Sequence, residues 1–267
     1  MRRGLGIAAG VMVHGLFALM TWRLFLFLRD TTAHTPEGSL GIDALLALQF
    51  VVPHSWLLHP STRKKLAGVI PDAFYGLLFT LVTTIGLTLI MVFWRHSPLA
   101  IWRLTGLGGG FMSAMFLVSW GFMLYSIGLT GFGWQTGYTP WLHWLRGLPP
   151  PKRTFDPRGV YRFLRHPVYL SFLGLVWFTP VMTLDRAILT AIWTAYIFYG
   201  SYLKDERLAH YMGERYRRYQ AQVVGFPGMF WGPLAKRSPH SGLLLQPRGK
   251  SISERPCVSI APNGPDC

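Results

Sequence analysis

Long apolar runs, separated by short connections that carry nearly all the positive charge, constrain this chain more than any other feature. Six such segments can be drawn, at roughly 5–28, 40–58, 73–94, 106–130, 167–182 and 185–203. Each lies near the ~20 residues that a helix needs to cross the hydrocarbon core, the last two being short. Only 14 % of the residues are charged, against about 25 % in an ordinary soluble domain. A net charge of +15 would suit a nucleic-acid binder. Here the charge sits in the connections instead, where membrane topology puts it, and no nucleic-acid partner is expected.

The placement of Lys and Arg orients the chain. Arg2 and Arg3, then Arg63, Lys64 and Lys65, then the loop before residue 167 and everything after residue 203 hold most of the 26. The alternate connections hold Arg29, Arg95, Arg103 and Arg186. This bias predicts both termini on the cytoplasmic side, in a bacterial inner membrane. The expected fold is all-α: an integral membrane helical bundle of five to six spans whose C-terminal half binds a cofactor. The alternative to six is a five-span bundle in which 167–182 only dips into the membrane. The first apolar run is too long for a signal peptide and reads as a retained span.

Three regions follow. Residues 1–130 hold the N-terminal transmembrane helices. Residues 131–233 form a C-terminal region of loop, helical hairpin and surface helix. From 234 to 267 Ser, Pro and Gly dominate, and a disordered tail is expected. In the loop after residue 131, Trp134, Trp141 and Trp144 read as interface anchors. Residues 204–220 read as a surface helix with Leu208, Tyr211, Met212, Arg215 and Tyr219 on one face. Thr183 or Asp185 is placed to cap the second helix of the hairpin.

Several chemistries lack their sequence signals. Both cysteines, Cys257 and Cys267, fall at the extreme C-terminus, so a disulfide framework and a thiolate zinc site are unsupported. The histidines show no metal-ligand spacing, and no metal is expected. Gly106-Leu107-Gly108-Gly109-Gly110 lacks the third glycine of a dinucleotide fingerprint and reads as a place for close helix packing.

Two stretches concentrate the polar chemistry. In Arg165-His166-Pro167-Val168-Tyr169, proline at the first turn of a helix leaves Arg165 and His166 beside unpaired backbone N–H groups, a natural seat for a carboxylate. Tyr169, one turn in, can present its ring to a cation. The alternative is an Arg/His pair touching lipid headgroups. Asp205 and Glu206 are the acidic residues at the inner end of the last segment. They are acceptors for hydroxyls or an ammonium, or else local ion pairs of little weight. His54-Ser55, within the second segment, is a site candidate because an intramembrane histidine faces protein or water. It is a general base or substrate-binding group, or a helix–helix hydrogen bond. His14 reads as a packing contact.

Gly159-x-Tyr161-Arg162-x-x-Arg165-His166-Pro167-x-Tyr169, a hairpin, then acidic-x-x-Leu208-x4-Gly213-x-x-Tyr216-x-x-Tyr219-x3-Val223 resembles the isoprenylcysteine carboxyl methyltransferase superfamily, which includes phospholipid methyltransferases. The hairpin, with Thr194-Ala195-Tyr196, and His54-Ser55 are similar in particular to the bacterial methanethiol S-methyltransferases. The resemblance implies an integral membrane methyltransferase using S-adenosylmethionine at its cytosolic face. The cofactor would be lined by Tyr161, His166, Tyr169, Leu170 and Asp205 or Glu206. Arg165 and His54 would act on the methyl acceptor. That acceptor is a small thiol such as methanethiol, giving dimethyl sulfide, or else an isoprenylcysteine or phospholipid. Two departures stand out: the expected Glu-Glu reads Lys204-Asp205, and the arginine expected soon after His54-Ser55 reads His59. A membrane sterol-reductase-like NADPH enzyme and a non-catalytic membrane helper are the other classes considered.

Overall fold

In the computed structural model, residues 3–29, 38–151 and 155–237 are described. They form α1 (Arg3–Arg29), α2 (Leu40–Leu58), α3 (Pro60–Leu66), α4 (Asp72–Phe93), β1 (Ala100–Arg103) and α5 (Gly106–Thr130). The chain continues through α6 (Phe132–Gln135), α7 (Tyr138–Arg146), a 3-10 turn (Gly159–Arg162), α8 (Pro167–Trp177), β2 (Val181–Thr183), α9 (Leu184–Met212) and α10 (Glu214–Gln222). The all-α membrane bundle is thus borne out. Helices α1, α2, α4 and α5 are long and apolar enough to cross a membrane. Large apolar side chains such as Val11, Leu45, Val52, Val92 and Leu117 point outward, as a bundle facing lipid tails requires.

The core lies where α1, α2, α4, α5, α8 and α9 meet, around Leu24, Ala47, Ile90, Trp94, Phe116, Trp120, Leu175 and Trp193. At one end, buried polar groups tie the helices together. Asp43 accepts from the amide of Arg95 at 2.9 Å, and Asp185 accepts from Trp94 Nε1 at 2.9 Å and from the Ser97 amide at 3.1 Å. Arg186 donates to the carbonyls of Phe27 and Leu28 at the end of α1. Thr183 takes the N-cap position of α9 without a side-chain cap, and Asp185 is engaged with the loop after α4 instead.

The C-terminal hairpin differs from its expected form. Helix α8 has 11 residues, about 16 Å at 1.5 Å per residue, roughly half the hydrocarbon thickness. The chain covers the remaining depth as an extended segment ending in β2, which pairs antiparallel with β1. Freed backbone groups at membrane depth must find partners within the protein. They do: Thr190 Oγ1 donates to the Val176 carbonyl and Trp102 Nε1 to the Thr179 carbonyl.

Helix α9 does not stop near residue 203 but runs on to Met212. The surface helix expected over 204–220 is therefore two pieces, broken at Gly213, whose φ of +57° and ψ of −136° favour glycine. The break turns Tyr216 and Tyr219 inward while Tyr211 stays exposed, so the single face drawn through Tyr211 and Tyr219 does not exist. Trp141 is no interface anchor: it is buried, and its indole donates to the Gly6 carbonyl of α1. His14 packs edge-on against Tyr138 at 5.3 Å, a packing contact as expected. The glycines after Thr105 form the start of α5 with little packed against them; the close approach is at Gly174, where an added Cβ would lie 2.1 Å from Ser119 Oγ.

Candidate active site

Three stretches converge at the end of the bundle where α2 and α9 terminate and α8 begins. The segment Leu164–His166 runs extended beside Val224, with a parallel bridge between Leu164 and Val224. The Arg165 amide donates to the Val224 carbonyl at 2.9 Å and the His166 amide to the Gly225 carbonyl at 3.2 Å. Pro167 then opens α8 at its first position. The strap after α10 folds back beneath this segment: the Gly225 amide donates to the Leu234 carbonyl at 2.7 Å, and Leu234 and Ala235 are buried. The boundary drawn at residue 234 falls inside this packed strap, while 238–267 lie outside the described residues.

Arg165, His166 and Asp205 form a closed charge cluster, none more than 2 % exposed. Arg165 Nη2 lies 3.0 Å from Asp205 Oδ2, and His166 Nε2 lies 3.1 Å from Oδ1. Tyr216 donates to the same Oδ1 at 2.5 Å. Arg165 Nη1 is aimed at the carbonyls of Gln220, Val223 and Ala235 at 2.8–3.1 Å. Burial resists ionisation of Asp205, but His166, Arg165 and Tyr216 outweigh it and hold the carboxyl below its usual range. Burial pushes the His166 imidazole down despite Asp205 beside it. The resulting state is an ionised Asp205 with a neutral His166. Burial and the adjacent carboxylate push the Tyr216 hydroxyl far up, so it remains a donor.

This geometry sorts the residues singled out by sequence. Asp205 has its oxygens committed to protein partners, whereas Glu206 is exposed and pairs with Arg237 at 2.5 Å. Arg165 is turned toward the strap, and Tyr161 is buried with its carbonyl accepting from Tyr219 at 2.5 Å. These residues build the frame. Tyr169 and Leu170 are half-buried on the first turn of α8 and pack beside Ile197 and Phe226. The Tyr169 ring does meet a cation, but it is the protein's own: Lys204 Nζ sits 5.1 Å from the ring centroid.

His54 is brought to the same end from α2. Its Nδ1 lies 2.6 Å from the Tyr196 hydroxyl of α9, which also accepts from Ser55 Oγ at 3.2 Å. Phe50 and Phe79 hold the imidazole, at 5.2 and 4.8 Å between ring centres. Arg207 donates to the Leu58 carbonyl at 3.1 Å, and its charge reaches His54, Tyr169 and Tyr196. Sequence reading missed Arg207 as a site residue and gave Tyr196 no role. Their spacing of eleven residues, about three helical turns, was the available signal, since it puts both on one face of α9. Gly225 was also missed; an added Cβ there would lie 2.7 Å from the Leu234 carbonyl and 3.2 Å from His166 Cδ2.

A cofactor with a carboxylate and an adenosyl group finds suitable contacts here. The amides of Val168 and Tyr169, in the first turn of α8, have no intrahelical acceptor. His166 Nδ1 is buried without a hydrogen-bond partner, Lys204 supplies a positive charge, and Tyr169 and Leu170 supply apolar surface. The arrangement fits such a group; among the described residues no cluster of His, Cys, Asp or Glu could hold a metal.

Comparison with known proteins bears out the resemblance. The chain is 29 % identical over 204 residues to a methanethiol S-methyltransferase of Pseudomonas deceptionensis, covering 76 % of each protein. It is 26 % identical over 200 residues to the Mycobacterium tuberculosis protein of that name, covering 73 % of this chain and 80 % of the other. It is also 26 % identical over 196 residues to Nurim of Rattus norvegicus, covering 68 % and 73 % respectively. No family model matches the chain, and no solved structure matches it significantly.

Proposed function

We propose that this chain is a membrane methyltransferase that transfers a methyl group from S-adenosylmethionine to a small thiol, with methanethiol the first candidate and dimethyl sulfide its product. The observation that carries the reading is the meeting of His54 and Tyr196 with the α8 entrance, Tyr169 and Lys204, in a chain similar to methanethiol S-methyltransferases over three quarters of its length. S-adenosylmethionine would supply an electrophilic methyl carbon on a sulfonium sulfur.

Few reacting side chains are needed for such chemistry, because alignment and exclusion of water account for most of the acceleration. The first turn of α8, Lys204 and the apolar face of Tyr169 and Leu170 would hold the cofactor. The Arg165–His166–Asp205 cluster fixes that turn against the strap and keeps its geometry constant. Helices α2 and α9 would present the acceptor from the membrane side, with His54 facing it. In this reading both termini are cytoplasmic, in a bacterial inner membrane, and the cofactor enters from the cytosol.

Lys204 favours one second reading. It adds positive charge where the methyltransferase resemblance expects a glutamate, and a nicotinamide dinucleotide phosphate would benefit from that charge. The experiment is therefore a calorimetric titration of purified protein with S-adenosylmethionine, run beside NADPH, followed by headspace detection of dimethyl sulfide from methanethiol. Binding of S-adenosylmethionine with product formation supports the proposal. Binding of NADPH alone overturns it in favour of a reductase.

A further inference from the structure

The seam between α2 and α9 carries a hydrogen-bond chain with a definite direction. Ser55 Oγ donates to the Tyr196 hydroxyl. The single phenolic proton of Tyr196 is thereby left for His54 Nδ1, 2.6 Å away. A histidine whose Nδ1 accepts carries its own proton on Nε2. That Nε2 has no hydrogen-bond partner among the described residues. His54 is thus wired as a donor, not as a base. One turn further along α2, Arg207 spends Nη1 on the Leu58 carbonyl, and its Nε and Nη2 have no partner among the described residues. Both groups offer N–H to the same space, and neither can remove a proton from an acceptor in this state.

We infer that His54 Nε2–H and the Arg207 guanidinium form an anion-binding pair that takes the acceptor as a thiolate, with Tyr196 and Ser55 positioning the imidazole. The inference rests on the methyltransferase reading and narrows it to acceptors that can ionise at sulfur. The step is heterolytic: the S–H bond breaks, the electron pair stays on sulfur and the proton leaves to solvent. Binding then selects the anion, because N–H donors and a fixed positive charge stabilise it and leave the neutral thiol without a matched partner. The charged and titratable groups around the pair are Ser55 on α2, Tyr169 on α8, and Tyr196 and Lys204 on α9; Phe79 closes the side facing α4. Among these groups no carboxylate contributes, which suits an anionic guest.

Arg207→Gln, Arg207→Lys and Tyr196→Phe separate the possibilities. Ethanethiol binding is followed by the ultraviolet absorbance of thiolate, across pH and without a methyl donor. S-adenosylmethionine affinity and thermal melting are measured on the same samples. The wild type is expected to show thiolate well below the pKa of the free thiol. Arg207→Gln is expected to raise the apparent pKa of the bound thiol by about one unit, with about a tenfold loss of kcat/KM at neutral pH. Arg207→Lys should recover part of that loss. Tyr196→Phe should give a smaller loss, with the pH profile displaced in the same direction. All three should bind S-adenosylmethionine as the wild type does. If Arg207→Gln leaves both thiolate absorbance and pH profile unchanged, the anion pair is wrong while the methyltransferase reading stands. A wild type that binds S-adenosylmethionine yet neither ionises nor methylates a thiol overturns both.

Discussion

Arg165 and Asp205 meet with Nη2 and Oδ2 3.0 Å apart and both side chains fully buried. The contact joins the residue before α8 to the C-terminal part of α9, and Arg165 also holds three carbonyls of the strap. Asp205→Asn strands a buried guanidinium, and a loss on the order of 3–5 kcal/mol is expected. Thermal unfolding in detergent measures it. Pairing Asp205→Leu with Arg165→Met should cost less than the two single substitutions together. An additive double variant would mean that the pair is not coupled.

Tyr216 makes its one strong bond to Asp205, at 2.5 Å. Tyr216→Phe keeps the ring packed against Phe155 and Tyr219 and removes only the donor. A hydrogen bond to a charged group supports a loss of about 1.5–3 kcal/mol. The melting temperature should fall while S-adenosylmethionine affinity changes little, since Tyr216 does not face the cofactor contacts.

The cluster also sets an acid limit. Folding holds His166 below the ordinary histidine range, so it favours the neutral ring. That contribution is complete above the unfolded pKa of about 6.5 and declines as the pH falls below it. Asp205 is also held low; its contribution is present above about 3.9 and is lost as the pH falls further. Stability should therefore drop from near pH 6.5 downward, with a steeper loss below pH 4. Asp205→Asn should flatten the lower part of that curve. Melting scans against pH give the answer, and a flat wild-type profile between neutral and mildly acid pH would contradict the assignment.

Gly225 is where the strap passes His166 most closely. Gly225→Ala puts a methyl against the Leu234 carbonyl and the imidazole edge, an overpacking that costs about 1–3 kcal/mol. Its Tm should drop, and limited proteolysis should cut first between residues 225 and 237. Ending the chain after Pro233 removes Leu234 and Ala235 and should produce the same protease sensitivity.

Much of this fold can be read directly from the sequence. Apolar runs near the length of a membrane span, with Lys and Arg in alternate connections, lead to a membrane bundle because lipid leaves helices as almost the only soluble form for the backbone. Pro167 marks the start of α8 because its fixed φ and missing N–H suit the first helical turn. The Arg165-His166-Pro167 and Asp205 motifs also lie where their spacing suggested, at one end of one bundle.

The roles of those residues depended on tertiary contacts. Asp205 and Glu206 are adjacent in sequence, yet one is buried and saturated while the other pairs with Arg237 at the surface. Helical phase against α8 and the strap decides between them, and composition cannot. Gly213 breaks what the apolar pattern draws as one helix, because the periodicity of 204–220 does not reveal that a left-handed residue resets its phase. Arg207 and Tyr196 gained their place only when α9 continued past residue 203 and packed along α2 beside His54. Sequence fixes which groups a chain can offer to a site. Their burial, their partners and the directions of their protons are set by long-range packing, which no local pattern encodes.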